Sequence, residues 1–331
     1  MATLSVVASG ADNVTSFSTI QAAVTAASAG DTIQVADGTW AAVTIDKAVT
    51  LVAENEGMAT ITGPGVNQGA AVRIAAGVSG VTIDGFSITA SPGDLAGIYA
   101  VANNSDITIQ NNSVDGGSSG HAFLSGAGTT GLTDSTITGN SFTGTAALPV
   151  FYINGPASLG APASGNTITG NSFGGNPGGG LLAGVESSGG SFSNNTFTGT
   201  ATYAQLEVFG TGITIEGNDF GATGPAFRDG TNSYDAADII ADNTVTGGTV
   251  WIEGSGTIYT TINAALAAAV AGDTIVVGPG VYEENLLIQN KANLTLVSAD
   301  GAETTTIRGS DASALLGTIQ IGANANGLRI E

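Results

Sequence analysis

A short pattern recurs seven times between residues 81 and 245, and it constrains the fold more than any other feature of the chain. The segments are VTIDGFSI (81–88), ITIQNNSV (107–114), STITGNSF (135–142), NTITGNSF (166–173), GSFSNNTF (190–197), ITIEGNDF (213–220) and DIIADNTV (238–245). In each, an apolar residue is followed three positions later by Asn, or by Phe86 in the first copy, and five later by Phe, Val or Ile. The asparagines fall at Asn112, Asn140, Asn171, Asn195, Asn218 and Asn243, with steps of 28, 31, 24, 23 and 25 residues. Such a step matches one coil of a stacked β-solenoid. A β-sandwich would need hairpins rather than this step.

The local chemistry points the same way. Ile107, Thr108 and Ile109, like Ile213, Thr214 and Ile215, alternate apolar and polar residues as a half-buried strand does. Gly-Asn or Asn-Asn follows, and both residue types tolerate positive φ in a turn. Segments such as PVFYING (149–155), GLLAGVES (180–187), QLEVFG (205–210) and TVWIEG (249–254) supply a further strand per coil. Stacking would align Ile109, Ile137, Ile168, Phe192, Ile215 and Ile240 in one interior column. Val114, Phe142, Phe173, Phe197, Phe220 and Val245 would form a second. The asparagines would form a structural ladder at the turn, their amides bonding backbone groups of neighbouring coils.

A second repeat is longer. FSTIQAAVTAASAGDTIQVADGTW (17–40) aligns without a gap on YTTINAALAAAVAGDTIVVGPGVY (259–282), at an offset of 242 residues. Ile20, Ala23, Val24 and Ala27, and equally Ile262, Ala265, Leu266 and Ala269, follow helical spacing, so short amphipathic helices are expected at about 18–28 and 260–270, ended by Gly30 and Gly272. Laid across the first coil, such a helix closes the exposed end of a solenoid core. The expected organisation is one module over 1–254, with coils over about 31–254, and the start of a second over 255–331. NGLRIE at 326–331 matches SGVTID at 79–84, so the second module is expected to be truncated and the parent protein to be longer.

The order helix, A-G-D-T-I-x-V, Gly-containing turn, aromatic and then VTIDKAVTLVAENEGMATITG resembles the N-terminal region of right-handed parallel β-helix proteins, the pectin-lyase-like superfamily. The second copy continues similarly, as LLIQNKANLTLVSADGAETTTIRG. The resemblance spans essentially the whole chain and implies an all-β fold, a right-handed parallel β-helix with a short N-terminal capping α-helix. Superfamily members include polysaccharide lyases, alginate epimerases, phage tailspikes and large surface adhesins, so the resemblance speaks for fold and not for one activity.

Composition narrows the partners. The formal charge is −21, from 27 acidic and 6 basic side chains, which repels nucleic acid, anionic membranes and acidic polysaccharides. No apolar run is long enough to span a membrane. Self-association, other cell-surface components, neutral glycans and divalent cations remain as expected partners. The chain has no cysteine, and MATLSVVASGADN shows no Sec-type signal. With its acidic, Gly- and Thr-rich composition, this suits an extracellular or cell-surface bacterial protein exported without a Sec signal, close in character to tandem-module, type I-secreted surface proteins.

No catalytic set emerges, so the expectation leans away from an enzyme. The Tyr-Gly-Phe-Asp-Pro-His-Glu stretch of alginate epimerases is absent, as are the Asp pair and Gly-His-Gly of polygalacturonases. His121, the one histidine, reads as a turn or core residue or as a general base. Around Arg228, the acids Asp229, Asp235, Asp238 and Asp242 read either as a solvated loop or as a Ca²⁺ site, the one cofactor suggested. Thr136/Thr138 and Thr167/Thr169 form too broken an array for ice binding. Trp40, Tyr282 and Trp251 read as packing residues or as sugar-stacking ones. The function expected is a structural or adhesive surface protein, such as an S-layer, filament or adhesin module. The alternative is a carbohydrate-active enzyme or a spike-like glycan binder.

Overall fold

The computed structural model describes residues 1–8, 13–126, 131–154, 163–221, 224–246, 248–309 and 317–331. The chain winds into coils whose strands stack in register into three parallel sheets, with a separate small stack at the C-terminal end. The first sheet aligns Ile83, Ile109, Ile137, Ile168, Phe192 and Ile215, one from each successive coil, all buried. The second aligns Ile88, Val114, Phe142 and Phe173, and continues through Phe197. Its phenyl rings stack along the axis at centroid distances of 5.7 Å for Phe142–Phe173 and 5.0 Å for Phe197–Phe220. The third sheet packs Val72, Ile98, Phe123 and Phe151 against them. Apolar side chains of all three sheets thus fill one continuous core.

Five successive turns between the first and second sheets are made by a residue with positive φ followed by an inward-pointing asparagine. Asn111 (φ 55°), Gly139 (66°), Gly170 (64°), Asn194 (54°) and Gly217 (66°) hold the left-handed position that Gly and Asn adopt most readily. Asn112, Asn140, Asn171, Asn195 and Asn218 follow and are buried. Asn140 Oδ1 accepts from the backbone N–H of Asn112 at 3.0 Å and from its side-chain amide at 3.0 Å. Asn112 Nδ2 also donates back to the carbonyl of Ile83, 3.0 Å away. The same bonds repeat up the stack to Asn243, so each amide pairs backbone groups that the turn removes from the sheets.

The last coil departs from the strand pattern. DIIADNTV was expected to place Ile240 in the first interior column, but residues Ala236–Asp242 form a helix, α2, with Ala236 and Ile239 buried and Ile240 only half-buried. Asp235 caps α2, accepting from Ala237 N at 2.9 Å. The coil below exposes its core end, and a helix burying one face against it covers that end without leaving an unpaired strand edge. Asn243 still tops the ladder, accepting from Asn218 N at 2.9 Å.

The repeated passage forms helices α1, Ile20–Ala26, and α3, Ile262–Ala268, each shorter than the sequence pattern suggested. Thr19 and Thr261 cap them at the start, and Ala27 and Ala269 turn to extended backbone at the end. The helices therefore stop four residues before Gly30 and Gly272, which hold the left-handed turn that follows. Asp31 fastens that turn, accepting from Ala2 N at 2.6 Å and Ser28 N at 2.9 Å, and Asp273 accepts from Val270 N at 2.7 Å. α3 covers a second apolar core running from Val250 to Ala325.

The third sheet joins the two cores. Phe227 of the first stack pairs antiparallel with Ile258, the strand Val250–Ile252 pairs antiparallel with Ile258–Tyr259, and again antiparallel with Thr274–Val277. Three reversals in succession leave the strands of the second stack running opposite to those of the first stack's third sheet.

Candidate functional site

The outward faces of the first two sheets carry short hydroxyl residues with a few acids and amides, Asp84, Gln110, Asp115 and Glu216, and no aromatic or cationic side chain among the described residues. Across coils they show Thr82, Thr108, Thr136 and Thr167 on one, and Ser87, Ser113, Ser141 and Ser172 on the other. Short hydroxyl residues suit a half-exposed strand and carry little else.

The third sheet differs. Its outward register runs Arg73, Tyr99, Leu124, Tyr152, Gly184, Glu207 and Arg228, one residue from each of seven successive coils. Each lies between two buried residues, as in Val72–Arg73–Ile74 and Phe151–Tyr152–Ile153, so strand alternation alone sends it outward. Both arginines before residue 300 lie in this column. Each tyrosine on the face has a braced ring. The Arg73 guanidinium sits 5.1 Å from the Tyr99 ring centre, and that of Arg228 sits 4.4 Å from Tyr203. The His121 ring stacks on Tyr152 at 6.1 Å with 17° between planes.

Tyr152 lies over Gly184. A Cβ on residue 184 would stand 2.5 Å from Tyr152 Cδ2, so only glycine leaves room for the ring. The phenol donates to Glu186 Oε1, and burial, seconded by that bond, pushes its pKa upward. On the next coil Tyr203 Oη donates to Glu207 Oε1 at 3.0 Å, and Arg228 Nε lies 3.3 Å from the same oxygen. The Glu207 side chain is only 5% exposed. Burial, with a further push from Glu186, raises its carboxyl to about 7. His121 is buried, which lowers its pKa, and its Nδ1 lies 2.6 Å from the carbonyl oxygen of Pro149, which opposes that shift.

The four acids near Arg228 are not brought together. Asp229 is buried and spends its oxygens on Thr231 N, Ser233 N and Tyr234 N, which brace the following turn. Asp235 caps α2, while Asp238 and Asp242 lie exposed along that helix. Among the described residues no three His, Cys, Asp or Glu side chains group so as to hold a metal ion. Arg228 turns instead to Glu207 and Tyr203. Trp40 and Tyr282 are buried against the cores, their polar tips bonded to the carbonyls of Ala36 and Gly278. Trp251 packs half-buried against the first core. The residues that sequence reasoning passed over are Tyr99, Tyr152, Glu186 and Glu207. The signal of Tyr99, Tyr152 and Glu207 lay in the middle letters of IYA, FYI and LEV, outward strand positions, whereas Glu186 stands one residue past its strand and gave none.

A family model described as "Periplasmic copper-binding protein (NosD)" matches residues 24–256, most of the chain. The chain belongs to the NosD family. Its fold is also that of an alginate lyase from Paenibacillus sp. str. FPU-7, at 14% identity and TM-score 0.51 over 98% of this chain and 99% of that one. A pectin methylesterase from Aspergillus niger, at 14% identity and TM-score 0.44, aligns over 73% of this chain and 85% of its own. A DFA-IIIase from Arthrobacter chlorophenolicus A6, at 14% identity and TM-score 0.41, aligns over 86% and 61%. The likeness to the alginate lyase shows the right-handed parallel β-helix fold and nothing of activity. No curated protein sequence matches the chain.

The NosD description corrects one expectation. The family is periplasmic, which overturns the extracellular, cell-surface placement drawn from composition. Its copper-binding description finds no counterpart in these side chains. Copper selects thiolate, thioether and imidazole donors in sets. This NosD-family chain has no Cys, one His and two Met, with Met1 and Met58 exposed on coils that precede His121. One imidazole braced against Tyr152 makes an insufficient donor set.

Proposed function

We propose that the chain is a glycan-binding β-helix of the periplasm whose site is the outward face of the third sheet between Arg73 and Arg228. One observation carries this reading. Among the described residues, aromatic and cationic side chains gather in a single outward register on this face, while the outward positions of the other two sheets hold mainly Thr and Ser, with Asp84, Gln110, Asp115 and Glu216. Tyrosine offers sugars an apolar ring face with a polar tip. Arg228 and Glu207 neutralise each other, so the face favours an uncharged ligand, and the overall charge of −21 disfavours polyanions. The family's placement leaves the S-layer, filament and adhesin roles without support. Calorimetry with neutral oligosaccharides and with pectate tests the reading. Binding of the neutral chains, lost in Tyr152→Ala, is expected; binding of pectate alone would refute it.

A second reading has its own observation. A carboxyl held near 7, as at Glu207, suits a general acid at neutral pH. A carbohydrate-active enzyme at the same face would release shortened glycans, and Glu207→Gln would stop that release while sparing binding.

A further inference from the structure

The rings of the third sheet are not equally on offer. Tyr152 is half-buried, stacked on His121 and seated over Gly184, and Tyr99 is half-buried with Arg73 over its ring. Tyr203 and Phe209 are 41% and 37% exposed, and they flank the two ends of one strand, Ala204–Val208, on the sixth coil. Six residues of extended chain separate them, about 20 Å at about 3.3 Å per residue. Like Glu207 between them, both hold odd positions along that run, so alternation turns them to the outward side. The seventh coil seats both rings. The Arg228 guanidinium lies 4.4 Å from the Tyr203 ring centre, and a Cβ on residue 230 would strike the Phe209 ring, for which glycine there makes room. Between the rings lies a polar floor, where the sunken Glu207 carboxyl accepts from Tyr203 Oη at 3.0 Å and faces Arg228 Nε at 3.3 Å.

We infer that a bound neutral oligosaccharide runs across the stack, along the strand of the sixth coil, with one sugar on Tyr203, another on Phe209 and the sugars between them over Glu207 and Arg228. This inference rests on the glycan-binding reading and adds the direction of the chain and Phe209 as a binding residue. The order of the groups fits the chemistry of a sugar chain: apolar ring faces meet the two aromatic ends, and hydroxyls meet the carboxyl and guanidinium between them. Because the Glu207 and Arg228 charges are paired, neither asks for a charged sugar. A chain laid along the helix axis would leave Phe209 and pass over Tyr152, whose ring is already taken by His121 and Gly184. Tyr152 instead serves the site by holding Glu186, one coil before Glu207, at the edge of the path.

The test is calorimetry of the full chain with neutral β-1,4-linked glucose, β-1,4-linked N-acetylglucosamine and α-1,4-linked glucose oligomers of two to eight units. Affinity is expected to rise with length until an oligomer bridges the two rings, then to level. Phe209→Ala and Tyr203→Ala should each weaken a bridging oligomer about tenfold, as truncating an anchoring aromatic does, and should bring the plateau to a shorter oligomer. Thr136→Ala, on the first sheet, should bind as the unaltered chain does. Phe209 is exposed, so its truncation should leave the core intact, with circular dichroism confirming the fold of each variant. Unchanged affinity in Phe209→Ala, or a greater loss in Tyr99→Ala than in Phe209→Ala, would overturn the inference while leaving glycan binding intact. Failure of every neutral glycan to bind would overturn the underlying reading and this one with it.

Discussion

Tyr152 rests on Gly184. The ring of one coil occupies the space where the next coil's side chain would be, with a hypothetical Cβ only 2.5 Å from Cδ2. The pair is therefore a sensitive point for function that is nearly neutral for the core. Gly184→Ala is expected to lift the Tyr152 ring from its seat and from Glu186, and to lower oligosaccharide affinity about tenfold, as dislodging an anchoring aromatic does. Interior neighbours Ala183 and Val185 are untouched, so thermal melting should fall by only a few degrees at most. A loss of affinity without a large melting shift, read by calorimetry, checks this.

The asparagine ladder gives a stability prediction. Asn171 Nδ2 donates to Ile137 O at 2.8 Å and to Thr169 O at 3.1 Å, and its Oδ1 accepts from Asn140 N at 3.0 Å. Asn171→Leu would strand these backbone groups inside the protein, at about 1–3 kcal/mol for each group left unpaired. Asn171→Asp keeps the acceptor and loses the donor, and should cost less below the carboxylate range than above it. Urea denaturation of both variants measures the difference.

Glu207 predicts a pH dependence with a definite sign. Its folded carboxyl is raised from 4.5 to about 7, so between those values the folded protein holds a proton that the unfolded chain has released. Stability from this group therefore falls as pH rises from about 4.5 to about 7 and is flat above that. Glu207→Gln should remove that segment of the slope in denaturation midpoints measured across the range.

Asp31 acts in the opposite sense. The N–H groups of Ala2 and Ser28 hold its carboxyl below the ordinary value of 3.8. The stability it adds is present above that value and is lost as pH falls through the lower, folded one. Asp31→Asn should soften this acid-side loss and lower the midpoint at neutral pH, measured by following melting from pH 7 downward.

Asp235 separates a helix cap from a metal ligand. Its carboxylate accepts from Ala237 N at the start of α2. Asp235→Ala should cost about 1 kcal/mol, as loss of an N-cap does, and by the same amount with Ca²⁺ or with a chelator present. A melting shift produced by Ca²⁺ only when Asp235 is intact would contradict the cap assignment.

The coil was legible in the sequence because its causes are local. Period-two alternation fixes which side chains enter the core, and a left-handed Gly or Asn before each ladder asparagine from Asn112 to Asn218 fixes the turn. Residues 23 to 31 apart then fall into register, as Ile109, Ile137, Ile168, Phe192 and Ile215 do. The same local reasoning misplaced Ile240, because DIIADNTV satisfies the strand pattern while the open end of the stack favours a capping helix, a property of position and not of the segment. The acids around Arg228 looked like a cluster because they are close in sequence, yet α2 and the turn after Asp229 disperse them. The Tyr99–Tyr152–Glu207–Arg228 face stayed hidden for the converse reason. Its members are 21 to 55 residues apart, and only the lateral stacking of seven coils, which aligns one outward position from each, sets them side by side.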